Sequence, residues 1–271
     1  MLVGVDGSTQ NTSAVAWAAA EVSSSSEDVP LVLVHGTEGP QETSSIGRAI
    51  LERALTDVAR LTPWVRPASE VRHGGAQAGL RAAAATWSDA DLLPLPALLV
   101  VGRRGHGPGH RVRLGMTARR LVHQPGPAVV VVPGTWSADA VAADAPIVVD
   151  VGDGEQEGVR TLGVALDRAA REGRRVLAVL AWTPTPPPGS TDLAISEIWA
   201  EHSDRAQQAL ERLLGPWREA YPEVQVDGIP TDRHAVTALL DRAEGAELLV
   251  LPRGDRACAV VEYAECPVAV V

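Results

Sequence analysis

The chain opens on an apolar run, Leu2 to Val5, that meets a polar turn at Asp6-Gly7-Ser8. That order predicts a buried strand ending in a turn. An Ala-rich stretch from Thr12 to Val22 predicts a helix, Ser23 to Asp28 a polar loop, and Leu31 to His35 a second buried strand. From Ser44 to Leu61 the residues Ile46, Ile50, Ala54, Val58 and Leu61 recur at helical spacing and are expected to form one buried face. A short strand near Glu70 to His73, a helix from about Gln77 to Trp87, an apolar strand over Leu98 to Val101, a helix after Gly115 and a last strand over Ala128 to Val132 complete the pattern. Strands alternating with helices predict an α/β fold with a parallel sheet. The near-continuous apolar character of the strands predicts helices on both of its faces.

After a small-residue linker, Gly134 to Ala145, the pattern restarts. Pro146 to Gly154 echoes Leu2 to Ser8, Glu247 to Leu251 echoes Ala97 to Val101, and Cys266 to Val271 echoes Gly126 to Val131. This is an internal duplication, with one domain expected over residues 1–134 and a second over 146–271. Matching Val5 to Val151, Val101 to Leu251 and Val131 to Val271 shows that the second half gains four residues before its fourth strand. It then loses ten between its fourth and fifth. The lost segment is the counterpart of a Gly-rich loop, Gly102 to Gly109. The second half also holds a Pro-rich connection, Pro184 to Gly189, and a long helical stretch with Ile198, Ala206, Leu210 and Leu213 as its expected buried side.

Charge changes the picture most. The 271 residues carry a formal net charge of −10, which disfavours nucleic acid and anionic membranes as partners. Yet no Asp or Glu lies between Asp91 and Asp139, where Arg103, Arg104, Arg111, Arg113, Arg119 and Arg120 gather with His106, His110 and His123. The two Cys make neither a disulfide framework nor a metal pattern. No apolar run reaches the ~18 residues of a spanning helix, and the N-terminus lacks the basic flank of a signal peptide. The expectation is therefore a soluble, cytoplasmic protein.

The strongest candidate site is Gly102-Arg103-Arg104-Gly105, then His106 to Leu114, then Gly115-Met116-Thr117. It follows a strand and leads into a helix. Small residues let backbone N–H groups approach an anion, and a helix N-terminus adds unpaired donors and partial positive charge. Ligands of open parallel sheets bind outside the carboxyl ends of the strands. Asp6 would lie on that same edge, where a carboxylate accepts from a ribose hydroxyl or an adenine-side donor. The plainer alternative is that the glycines only permit turns, Asp6 only caps a turn, and the arginines form a solvated face. The loop is neither a Walker A sequence nor a dinucleotide fingerprint.

Gly-x-x-Gly, nine residues, then Gly and a nearby hydroxyl resembles the ATP-binding motif of the universal stress protein family. Val3 to Ser8, Val32 to His35 and Leu121 to Val131 resemble the family's first strand and turn, its second strand, and its last helix and strand. The resemblance covers both halves. It implies two tandem Rossmann-like domains of the adenine nucleotide alpha hydrolase type, each a five-stranded parallel-type sheet flanked by helices. It also implies ATP as ligand, with or without Mg²⁺. By resemblance, Asp6 would meet the ribose, Val34 and Gly36 would border the adenine, and Gly102, Gly105 and Gly115 would cradle the phosphates. Gly4, Val101, Arg103, Met116 and Thr117 complete the implied binding set. The family's last strands pair domains or subunits, so pairing of the two halves is expected, with dimerisation of the whole chain left open.

The first half departs from the family at Met116, where Ser or Thr is usual, while Thr117 comes one residue later. One residue turns a side chain by ~100° on a helix, and one lost hydroxyl contact costs roughly 1 kcal/mol. The second half departs further. Gly152 stands where Asp6 does, beside Asp153. Pro252 replaces the first motif Gly, Arg256 aligns with Met116, and Glu262 and Glu265 replace the basic surround. No nucleotide is expected there. Two functions follow: a regulatory module binding ATP in its first domain, with at most slow incidental hydrolysis and no catalytic residues, or an interaction protein of the same fold that binds none.

Overall fold

The computed structural model describes residues 1–8, 11–25, 29–37, 44–89, 98–105, 113–152 and 154–271. Its contacts divide the chain into two units: Met1–Val141 with Arg253–Val270, and Ala142–Pro252 with Val271. The division at 141/142 falls inside the linker expected between the two repeats, and the tail of the second repeat, Arg253–Val270, groups with the first unit.

In the first unit, β1 (Leu2–Gly4), β2 (Val32–Thr37), β3 (Ala68–His73), β4 (Leu99–Gly102) and β5 (Val129–Val132) pair in parallel, in the order β3-β2-β1-β4-β5. The strand of residues Val268–Val270, β10, pairs antiparallel with β5. Leu2, Val3, Leu33, Leu99, Val100 and Val130 are almost fully buried, as their apolar runs require. The helices are α1 (Thr12–Ser24), α2 (Ser44–Leu61), α3 (Gly75–Asp89), α4 (Met116–His123) and α8 (Asp255–Tyr263).

The buried face of α2 differs from the expected one. Leu51, Ala54 and Val58 are buried, whereas Ile46 is 61% and Leu61 50% exposed. Residues 51, 54 and 58 follow the i, i+3, i+7 stripe that a helix lays against a sheet. Gly47 is buried as well, so the contact begins one residue after Ile46, and the expected face is rotated from the one that packs.

Two arginines in corresponding places tie this unit together. Arg103, just after β4, donates to the Ala264 carbonyl at 2.7 Å and the Glu262 carbonyl at 3.4 Å, at the end of α8. Arg253 donates to the carbonyls of Leu121, Val122, Gln124, Gly126 and Pro127 at and beyond the end of α4. Each guanidinium satisfies orphan carbonyls at the negative end of a helix dipole. Burial, with Arg104 beside it, holds the Arg103 pKa below its ordinary value, while Glu265 opposes that shift.

The second unit holds β6 (Ile147–Asp150), β7 (Val176–Ala181), β8 (Val226–Thr231) and β9 (Leu248–Leu251), paired in parallel in the order β9-β6-β7-β8. Its helices are α5 (Glu155–Glu172), α6 (Asp192–Ala220) and α7 (Ala235–Ala243). Along α6, Ala206, Leu210 and Leu214 are buried; Leu214 takes the place expected of Leu213, and Ile198 is only half-buried. The succession 206, 210, 214 is an i, i+4 row. A buried pair joins α5 to the segment before β9: Arg168 Nε lies 2.9 Å from Glu247 Oε2, and both residues are 8% exposed.

Removing one member of such a pair strands the other's charge, at a cost of about 3–5 kcal/mol. Glu247→Ala is therefore expected to destabilise the chain by about that much in chemical denaturation, and Arg168→Leu combined with Glu247→Leu by far less. Arg103→Met is expected to cost about 1.5 kcal/mol through the uncapped α8 carbonyls. Arg104→Met, at an exposed position, should stay within about 0.5 kcal/mol of the parent in the same measurement.

Candidate functional site

The carboxyl ends of β1, β2 and β4 open into a cleft of about 400 Å³ in the first unit. One part of its wall is apolar: Val34 of β2, Val101 of β4, and Ala76 and Leu80 of α3. The rest is polar or bare backbone: Asp6, Asn11, Arg104, the Gly102 and Gly105 backbone, and the first turn of α4 from Gly115 to Ala118. A flat apolar slot thus runs into a region of unpaired donors.

Each polar part has a local cause. β1 ends at Gly4, and Asp6 closes the following turn by accepting the Ser8 N–H at Oδ1, 2.9 Å away. That is an Asx turn, for which Asp is suited. The loop after β4 then runs directly over the same carboxylate: a Cβ on Gly105 would stand 2.1 Å from Asp6 Oδ2. A larger residue there would displace the Asp6 carboxylate. The Gly115 N–H donates to the Arg103 carbonyl at 2.8 Å, which folds the loop back so that α4 starts beside Asp6. Gly115 caps α4 with no side-chain bond, and the first turn of α4 holds no acid. The end of the helix that carries orphan N–H groups and partial positive charge therefore borders the cleft without a side-chain cap.

Of the expected binding set, Gly4, Asp6, Val34, Gly36, Val101, Gly102, Gly105, Gly115, Met116 and Thr117 lie together on this cleft. Arg103 does not: its guanidinium is turned away to the end of α8, and Arg104 lines the cleft instead. Gly36 has a packing duty as well, since a Cβ there would fall 2.4 Å from Ala76 Cα, where β2 meets the start of α3. His106, His110 and Arg111 of the basic stretch lie outside the described residues, as does Asp153.

Sequence reading missed Asn11, Ala76 and Leu80. The signal for the α3 pair was topological: the helix joining β3 to β4 must cross back over β2 and β1 to keep a right-handed connection. Asn11 is 6% exposed, donates from Nδ2 to the Gly4 carbonyl at 2.7 Å, and has no partner at Oδ1. His35 stays out of the cleft; its Nδ1 is 2.7 Å from the Val5 carbonyl, which can only accept, so the ring proton sits on that nitrogen.

The corresponding place in the second unit is built differently. The turn carboxylate is Asp150, 2% exposed, which accepts the Gly152 N–H at 2.9 Å. Glu157 Oε2 lies 2.6 Å from where a Gly152 Cβ would stand, and Pro252 borders the same point. A second carboxylate beside the strand end opposes an anionic ligand. Among the described residues no cluster of three His, Cys, Asp or Glu fits a metal ion, and no helix is long and apolar enough to cross a membrane.

Residues 1–133 match the model of the universal stress protein family. A universal stress protein of Mycolicibacterium smegmatis is 30% identical over 264 residues, covering 93% of this chain and 85% of that one. A universal stress protein from Archaeoglobus fulgidus aligns in structure over 99% of this chain and 95% of its own at a TM-score of 0.66, with 13% identity, a likeness of fold. Another from Archaeoglobus fulgidus, solved in complex with dAMP, aligns over 48% of this chain and 98% of its own at a TM-score of 0.35. The 30% identity over most of both chains, with residues 1–133 matching the family model, makes this protein a member of the universal stress protein family.

Proposed function

We propose that the chain is a regulatory module that binds ATP in the cleft of its first unit, while its second repeat holds no nucleotide and serves as a built-in pairing partner. The observation that carries this reading is the order of surfaces along one cleft. An apolar slot of Val34, Val101, Ala76 and Leu80 suits a nucleobase, Asp6 suits a ribose hydroxyl, and the bare start of α4 suits phosphates. Asp6 is the sole carboxylate on this cleft among the described residues. A Mg²⁺ ion would therefore come with the phosphates and its waters rather than from a protein cage. No residue is assigned a catalytic role, and hydrolysis, where it occurs, is slow and incidental. A soluble, cytoplasmic protein fits a nucleotide-responsive module of this kind.

The second reading is an interaction protein of the same fold that binds no nucleotide. Met116 favours it: an apolar side chain, 67% exposed, stands first in α4 where a hydroxyl would bond phosphate. Titration calorimetry with ATP and Mg²⁺ separates the two. The first reading expects one site per chain, and Gly105→Asp, which drives a second carboxylate onto Asp6, is expected to weaken it at least about a hundredfold, or ~2.7 kcal/mol. Two sites would overturn the assignment of the second repeat. No heat at millimolar ATP would leave the interaction protein.

A further inference from the structure

The chain carries two methionine and two cysteine sulfurs, and their surroundings differ sharply. Met1 is 6% exposed and Cys266 4%. Cys258 is half-buried, and burial first, with Asp255 and Glu262 adding to it against Arg119, pushes its thiol pKa upward. A thiol held protonated is a poor nucleophile toward oxidants. Met116 is 67% exposed, and it lies on the nucleotide cleft at the first position of α4. The most exposed of the four sulfur-bearing residues thus stands at the point where phosphate oxygens would meet helix N–H donors.

We propose that Met116 is a modification site for hydroperoxides, and that its oxidation to the sulfoxide releases nucleotide from the cleft; the second half of this statement rests on the ATP reading above. The thioether sulfur attacks one peroxide oxygen. The S–O bond forms as the O–O bond breaks, the sulfur is oxidised by two electrons, and the departing hydroxide takes the proton of the transferred oxygen to leave as water. The product is polar and reducible. Its oxygen accepts hydrogen bonds and donates none, as do phosphate oxygens. Standing at the start of α4, it competes for the same N–H groups and meets the phosphates acceptor to acceptor. Met116 lines the cleft, so bound nucleotide is also expected to shield its sulfur and slow its oxidation.

The test treats the full chain with dilute hydrogen peroxide, maps added oxygen by peptide mass, and measures ATP affinity before and after. Oxygen is expected on the Met116 peptide well before the Met1 peptide, and more slowly in saturating ATP. Affinity is expected to fall on the order of tenfold and to return with methionine sulfoxide reductases for both epimers but not with a thiol reductant. Met116→Leu removes the sulfur, so its affinity, measured against its own untreated value, is expected to ignore peroxide. Equal oxidation of Met1 or Cys258 would overturn the modification site even with ATP binding intact. Unchanged ATP affinity after complete Met116 oxidation would overturn the switch, as would a peroxide-sensitive Met116→Leu variant. An untreated chain that binds no ATP would sink the nucleotide reading and the switch together, while oxygen confined to Met116 would still uphold the modification site.

Discussion

Much of the first unit depends on how strand β5 is paired. Its four valines are all buried, and it bonds in parallel to β4 on one side and antiparallel to β10 on the other. An exposed run of that composition would be a template for aggregation; with both sides paired the hazard is gone. The pairing has a consequence for the cleft. It brings the last helix of the second repeat, α8, against the last helix of the first, α4. Arg103 then finds the α8 carbonyls within reach, and Arg253 finds those of α4. The phosphate-type loop is thereby anchored at its root by a contact that has nothing to do with any ligand.

This explains why the motif's first arginine is structural while its neighbour faces the cleft. The chain bends at Arg103, directly after β4. Once Arg103 is committed to α8, Arg104 is left toward the opening, at an exposed position. The same commitment fixes where Gly105 falls, and Gly105 must pass within a Cβ radius of Asp6. The short step from Gly102 to Gly105 thus leads from the end of β4 to the acid in the turn that follows β1.

The strands were legible because buried parallel strands read as apolar runs, and Leu2, Val32, Leu99 and Val129 each fall in one. The glycines and Asp6 were legible because their chemistry is local. What could not be read were choices made by distant chain. Ile50 and Leu51 are both apolar, and only the packing of α2 decides that Leu51 is the buried one. Leu213 and Leu214 pose the same problem on α6. The direction of Arg103 is set by a carbonyl far along the sequence, at Ala264. Periodicity identifies a helix more securely than it fixes the rotation of that helix about its axis, and charge patterning says nothing of which cation is already spoken for.

The two repeats diverge at the point where one carboxylate becomes two. In the first, Asp6 is the only carboxylate among the described residues that line the cleft, and the first turn of α4 borders the same cleft. In the second, Asp150 is buried in its turn and Glu157 crowds the adjoining glycine, while the long loop has been lost. Each change bears on that strand end, yet β6 and β9 are buried throughout and β7 keeps Val176, Ala178 and Val179 buried. The residues that build the sheet and those that line the cleft are thus separable: apolar strands recur in both repeats, while the loop glycines, a single cleft carboxylate and a helix start without a first-turn acid come together, among the described residues, in the first.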